Sequence, residues 1–434
     1  MPAVNGIGKF TMRKVRFEFG KSGIQLNVPE GLEYMMVESR SAKPIEDPIA
    51  ALEHALDHPI GCLPLRELAA GKKSAAISIC DITRPAPNST TLPPLLRRLH
   101  EAGIPVESIS ILIATGLHRA ATDAEIQTIV GAEIASTYCI LNHDAKQLSD
   151  HRWLGSTRNG TPVYIDERFM NADLHITLGF IEQHLMLGFS GGRKLIAPGV
   201  AAQETIKVIH SPKFMREPMA TEGSTTDNPL HSELLEIASM ARHDFMLDVT
   251  LTQSRSISGV FAGNAVEAHA AGVQFLKDTS LEPLPALADL VITSAAGYPL
   301  DLTFYQTIKG ITAASHIVKP GGRILVVGEC SEGVGSPEFA RKLEAYAGHQ
   351  HYLDEIRNAA VEVDQWQLEK LALVGLETKL YFYTPGVTKP QIGSLGENYY
   401  ADLDAAVAAA VDGLQPGSRV ALVPEGPYVY ARVQ

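Results

Sequence analysis

Several familiar marks of function are missing from this 434-residue chain. It has only four cysteines, Cys62, Cys80, Cys139 and Cys330, and none form a C-x-x-C pair. In a chain this long they read as reduced core residues, which excludes a disulfide frame and a cysteine zinc site. Lysine and arginine number 37 against 49 acids, a formal charge of −12. That deficit argues against nucleic-acid binding, which depends on cations that neutralise phosphates. A small anionic substrate held by a few local cations remains compatible. No uncharged apolar run reaches the roughly 18 residues of a membrane span. The opening "MPAVNGIGKFTMRKVRFEFG" has no apolar leader segment, so a cytoplasmic protein is expected.

Motifs of common enzyme classes are missing too. "GFSGGRKL" is not a P-loop, because Arg193 precedes the lysine and Leu195 stands where a magnesium-binding hydroxyl belongs. No G-x-G-x-x-G opens a helix after a strand, so the usual dinucleotide fingerprint is absent. H-E-x-x-H does not occur, which argues against a zincin.

What is present is an α/β chain. With 45% apolar and 20% charged residues, it has core enough for two or three domains. "KVRFEFGKSGIQLNVPEG" alternates around a glycine turn and predicts a hairpin. Buried strands are expected at "SAAISIC", "SISILIATG" and "NADLHITLGFI", with helices at "TLPPLLRRLHEAG", "TDAEIQTIVG" and "QETIKVIHSPKFM". "DFMLDVTLTQS" and "ISGVFAGN" read as a strand pair. The Pro-rich stretch near Leu281 reads as a linker. A second α/β unit follows, with strands "DLVITSA", "GRILVVGEC", "KLYFYTP" and "SRVALVPEG". The expected domains are therefore 1–280, for cofactor binding, and 285–416. The last strand, in 417–434, can complete either one.

Candidate residues stand just past predicted strand ends, where open α/β sheets place ligands. They are Asp81 and Arg84; Thr115, Gly116 and His118; Gln183, His184 and Lys194; and Tyr305, Gln306 and Lys309. Asp81 and Arg84 read equally as a local ion pair or as a ribose acceptor and a carboxylate clamp, for which a guanidinium fork is suited. His118 alone reads as a satisfied loop histidine, His175 and Trp366 as core. Gln306 and Lys309, three apart on a helix, share a face. The glycines Gly191 and Gly192 offer backbone N–H groups that would suit a phosphate.

Taken in order, "DITRP", "ATGLHR", "EQHLMLGFSGGRKLIAPG", "VIHSP", "YQTIK" and "DQW" resemble the nickel-dependent lactate racemase family. The resemblance spans Asp81 to Trp366. It implies two α/β domains with an active-site cleft between them. It implies a nickel-pincer nucleotide, a pyridinium mononucleotide whose two sulfur arms clamp nickel, made by separate biosynthetic enzymes. On that resemblance Lys194 is the covalent tether and His210 the protein ligand to nickel. His118 and His184 are the acid/base pair. Arg84, Tyr305, Gln306, Lys309 and Trp366 bind substrate, and Asp81 meets the cofactor ribose. The implied activity is racemisation or epimerisation of a 2-hydroxy acid by reversible hydride transfer. Lactate, a longer or aromatic hydroxy acid, malate or a sugar acid all satisfy it. A second substrate carboxylate would call on Arg97, Arg98 or Arg119. The alternatives are a 2-hydroxy acid oxidoreductase and a non-catalytic cofactor-binding protein.

Overall fold

The computed structural model describes residues 12–433. The first residues, on which the expectation of no apolar leader rests, lie largely outside that range. The chain divides into two α/β units: Ser41–Ser280, and the residues up to Arg40 together with Leu281 onward.

The Ser41–Ser280 unit is built on a six-stranded sheet. Its order is Ile257–Gly263, Phe245–Leu251, Leu174–Phe180, Ala75–Cys80, Ile109–Ala114, Cys139–Asn142. All neighbours run parallel except the antiparallel edge strand Ile257–Gly263. "AAISIC" and "LHITLGF" are buried at every position. Such unbroken burial is the rule for central parallel strands covered on both faces. His175 lies inside the second of these and is fully buried, as its apolar setting suggested. Helix Asp123–Val130 begins with a capping box of Thr122 and Glu125. The chain winds from Ala75–Cys80 outward to Cys139–Asn142. It then returns to Leu174–Phe180 on the other side. The order thus reverses between Ala75–Cys80 and Leu174–Phe180, and ligand sites in open sheets form at such reversals.

The second unit carries a five-stranded parallel sheet in the order Lys379–Tyr383, Val318–Val327, Ala288–Ser294, Arg419–Val423, Glu33–Met36. One face is covered by the hairpin Met12–Phe17 and Ile24–Pro29, whose Val15, Phe17, Leu26 and Val28 pack with Leu290, Ile292 and Leu325. The other is covered by helices Phe304–Ser315 and Gln365–Glu377.

The expected boundaries need one correction, and the open place of the last strand is resolved. The N-terminal hairpin and the strand Glu33–Met36 belong with the second unit, because their apolar residues and backbone pair with its sheet. The last long strand, Arg419–Val423, completes that same sheet. The supposed linker is in part a strand: Leu281–Leu284 pairs with Tyr430–Val433. Of the cysteines, Cys80 and Cys330 are buried, whereas Cys62 is half-buried and Cys139 exposed, so the core reading holds for two. No described helix is long and apolar enough to cross a membrane.

Candidate functional site

Three adjacent parallel strands end together on one edge of the Ser41–Ser280 sheet, and each hands the chain to a candidate side chain. Asp81 follows Ala75–Cys80 directly and is nearly buried. The His118 ring, on the loop after Ile109–Ala114, donates Nδ1–H to Asp81 Oδ2 at 2.7 Å. Thr83 Oγ1 donates to the other oxygen, also at 2.7 Å. Burial alone would raise the Asp81 carboxyl. The hydrogen bonds and charges of His118, Thr83 and Arg84 outweigh it and hold the group below the usual carboxylate range. Asp81 is therefore ionised and fixes the ring's tautomer: Nδ1 carries the hydrogen and Nε2 of the neutral ring a lone pair. Each Asp81 oxygen accepts one protein donor, which leaves each a further lone pair for the ribose hydroxyl expected there.

Arg84 is half-buried one turn beyond, and its backbone N–H bonds Asp81 O at 3.1 Å. No described residue forms an ion pair or hydrogen bond with its guanidinium, so the local Asp81–Arg84 ion pair does not form. Thr115 is structural: its hydroxyl donates to His143 O at 2.8 Å. Gly116 lies against Gly199, its N–H on that carbonyl at 3.0 Å.

The third strand end leads into a tight antiparallel pair, Gln183–His184 with Gly188–Phe189. His184 Nδ1 accepts from the backbone N–H groups of Met186 and Leu187, each at 3.3 Å. The glycine turn follows. Gly191 and Gly192 have φ of +84° and +46°, a region that favours glycine. Gly192 N–H donates to the buried Asp248 Oδ2 at 2.7 Å, and a Cβ on Gly191 would collide with that same oxygen. Burial pushes the Asp248 carboxyl up to about 7, against the pull of Gly192 and Arg193. The Gly192 amide, one of the two expected to cradle a phosphate, is thus already engaged by Asp248 within the fold.

Arg193, next in line, is 2% exposed and staples the loop from inside. Its guanidinium donates to the carbonyls of Phe189 at 3.0 Å, Leu187 at 3.3 Å and Gly191 at 3.4 Å, and to His269 Nε2 at 2.7 Å. Burial lowers it to about 9, which leaves it charged at neutral pH. His269 Nε2 also approaches Ser190 O at 2.8 Å. It cannot accept from Arg193 and donate to Ser190 at once, and the charged donor decides for acceptance. Residue chemistry pointed to neither Asp248 nor Arg193; an arginine inside a buried glycine turn was the one visible sign.

Lys194 is half-buried behind this staple, its N–H on Gly191 O at 3.1 Å. His210 caps helix Gln203–Ile209 and donates Nδ1–H to Ile206 O at 2.8 Å. Burial pushes its ring down to about 4, and the nearby Lys194 ammonium adds to that while the Ile206 carbonyl opposes it. His210 is thus a neutral imidazole whose Nε2 bears the lone pair. A carbonyl on Nδ1 orients many metal-bound histidines in this way. Among the described residues, no three His, Cys, Asp or Glu side chains gather as a metal site. A metal on His210 would need its other ligands from a bound group.

In the second unit, Tyr305, Gln306 and Lys309 are half-buried on helix Phe304–Ser315. Trp366 is buried on the adjoining helix Gln365–Glu377, where Gln367 Nε2 donates to Tyr305 O at 3.0 Å. Gln306 Oε1 is buried with no hydrogen-bond partner among the described residues. The spare arginines are committed elsewhere: Arg98 to Asp57 at 2.8 Å and Glu53 at 2.6 Å, Arg97 to Glu53, and Arg119 to Glu125 at 2.5 Å.

Comparison with known proteins adds to this geometry. A family model described as lactate racemase N-terminal domain matches residues 19–223, and one described as lactate racemase C-terminal domain matches 285–430. The lactate racemase of Thermoanaerobacterium thermosaccharolyticum is 32% identical over 429 residues, covering 97% of this chain and all of that protein. That of Lactiplantibacillus plantarum is 34% identical over 379 residues, covering 86% of this chain and 89% of its own. The solved structure of the Thermoanaerobacterium lactate racemase apoprotein superposes with a TM-score of 0.87 at 30% identity, covering 97% of this chain and 100% of that one. A Thermotoga maritima structure shares the fold at a TM-score of 0.67 and 15% identity.

Proposed function

The chain belongs to the lactate racemase family, and from that premise we propose that it interconverts the enantiomers of a 2-hydroxy acid, lactate or a close relative. The observation that carries this reading is the Asp81–His118 pair at the sheet edge from which the chain also runs on to His184 and Lys194, with His210 near Lys194. The reaction must break the C2–H bond beside an ionised carboxylate. Removing that hydrogen as a proton would build a second negative charge next to the first; removing it as hydride avoids this.

The residues present fit a nickel-pincer nucleotide. His210 offers a neutral, oriented imidazole, and nickel takes imidazole well. Lys194 stands beside it as the proposed covalent tether. Bound there, the cofactor would supply a reversible acceptor for the C2 hydride. The protein does the rest. His118 Nε2 takes the hydroxyl proton as the C2–H bond opens, and the carbon becomes a planar ketone that accepts hydrogen on either face. His184 completes the acid/base pair at the oxygen. Arg84, with its uncommitted guanidinium, holds the substrate carboxylate. Tyr305, Gln306, Lys309 and Trp366 are proposed as further substrate-binding side chains, on the resemblance of "YQTIK" and "DQW" alone.

The test uses protein purified from cells that make the cofactor, given one lactate enantiomer and no NAD. Chiral chromatography should show a racemic mixture without net keto acid. Net keto acid would instead indicate an oxidoreductase, and no turnover with nickel retained a binding protein.

A further inference from the structure

We propose that Asp301 is a positioning residue for the helix Phe304–Ser315. Its buried carboxyl ties the end of the N-terminal hairpin and the loop after strand Val318–Val327 to the start of that helix, and so fixes where Gln306 and Lys309 stand. The consequence for substrate rests on the proposed racemase reading, in which this helix helps to bind the 2-hydroxy acid.

A buried aspartate is costly unless it is used. Asp301 is fully buried in the single turn Leu300–Leu302, between strand Ala288–Ser294 and the helix. Its Oδ2 accepts two backbone hydrogen bonds from distant parts of the chain, Gly20 N–H at 2.7 Å and Glu329 N–H at 3.0 Å. Oδ1 has no partner among the described residues, so the tie rests on one oxygen. The backbone extends it. Asp301 N–H donates to Gly297 O at 2.9 Å, and Asp301 O accepts Cys330 N–H at 2.8 Å. Tyr298 N–H donates to Gly20 O at 2.8 Å, which holds Gly20 from its other side.

The helix needs this frame because it lacks a cap of its own. Thr303, at its N-cap, makes no side-chain capping bond, and the first N–H groups of a helix have no partner within it. Loop carbonyls take that part. Phe304 N–H donates to Gly333 O at 2.9 Å and Tyr305 N–H to Val334 O at 3.0 Å, while Glu332 N–H donates to Leu302 O at 2.8 Å. The stretch from Glu329 to Gly335 thus meets Asp301 at one end and the helix start at the other. A Cβ on Gly335 would stand 3.1 Å from the Tyr305 Cβ, so the two pack closely. Gln306 and Lys309 lie within the first turns of the same helix, and a shift at its start moves both.

The hairpin end enters at a defined place. The sheet order of this unit reverses between Ala288–Ser294 and Arg419–Val423, where open sheets leave a crevice. Here Glu18 N–H donates to Pro424 O at 3.0 Å, and a Cβ on Gly297 would lie 3.1 Å from both Phe19 N and Gly20 O. Residues 18–20 of the chain occupy that position, and Asp301 locks them there.

Hydrogen–deuterium exchange read by fragmentation mass spectrometry tests the frame without an activity assay. In the wild type, the Gly20 and Glu329 amides should exchange as slowly as those of strand Val318–Val327; fast exchange at either overturns the proposal. In Asp301→Ala, exchange at Phe304 and Tyr305 should rise about tenfold or more. In Asp301→Asn, whose amide oxygen can still accept both N–H groups, it should rise less than about threefold. In the racemisation assay, Asp301→Ala should lower kcat/KM by about 10²-fold, mostly through KM, at unchanged nickel content per chain. Asp301→Asn should keep KM within about threefold. A wild-type KM in Asp301→Ala, a loss that follows nickel content instead of KM, or equal damage from alanine and asparagine overturns the positioning role. A wild-type protein without racemase activity would sink the proposed function, yet the exchange data would still decide whether Asp301 frames the helix.

Discussion

At the residue scale, a histidine's role is set by what its far nitrogen touches. Asp81 is a positioning residue whose ionised carboxylate selects the His118 tautomer. Asp81→Asn keeps the shape but offers an amide that can force the wrong tautomer, the logic that makes such changes severe in histidine–aspartate pairs. Turnover should fall by about 10²- to 10⁴-fold with an unchanged melting temperature; retention of full rate would show that the pair does not orient the base. The sequence made His118, His184 and Lys194 visible because they follow strand ends, and His210 because it stands in a recognisable block. It did not reveal that Asp81 serves His118, since Asp81 and Arg84 are neighbours in the chain and His118 lies 37 positions on. Hydrogen-bond partners far apart in sequence leave no spacing signal.

At the scale of elements, the strands were legible because central parallel strands read as unbroken apolar runs, and "AAISIC" and "LHITLGF" do so. The hairpin His151–Ser156 with Pro162–Asp166 was not. Its first strand buries only His151 and carries no clean apolar alternation. What anchors it is Asp166, fully buried, which accepts from Arg168 Nη2 at 2.6 Å and from His143 Nδ1 at 3.1 Å and caps the following helix. Burial alone would raise this carboxyl, but those partners hold it well below the usual carboxylate range. A depressed carboxyl contributes stability above its unfolded value of about 3.9, and that contribution is lost as pH falls through the lower folded value. Asp166→Asn should therefore cost about 3–5 kcal/mol near pH 7. The difference from wild type should shrink steadily in acid below about pH 4. Thermal melts across that range check it, and a pH-independent difference would show that charge is not the cause.

At the scale of the whole molecule, the change of character near Leu281 was readable, but the origin of the second unit's first strand and hairpin was not. Alternation in "KVRFEFG" says that one face is buried; it does not say against which sheet. The structure answers with Leu290, Ile292 and Leu325. A fragment of residues 41–280 should accordingly unfold cooperatively by itself. In a 1–280 fragment, residues up to 40 should be cut rapidly by protease, because the sheet they cover is missing. Equal protection of those residues in the 1–280 fragment would contradict the assignment of units.

The central claim is that the C2 hydrogen leaves and returns as hydride while only the hydroxyl proton passes through the histidines. It is tested most directly by giving cofactor-loaded protein one enantiomer of lactate deuterated at C2, in ordinary water, and analysing the opposite enantiomer by mass spectrometry. The account predicts that the product keeps its deuterium at C2. A product carrying solvent hydrogen there would mean that the bond breaks as a proton, and would contradict it.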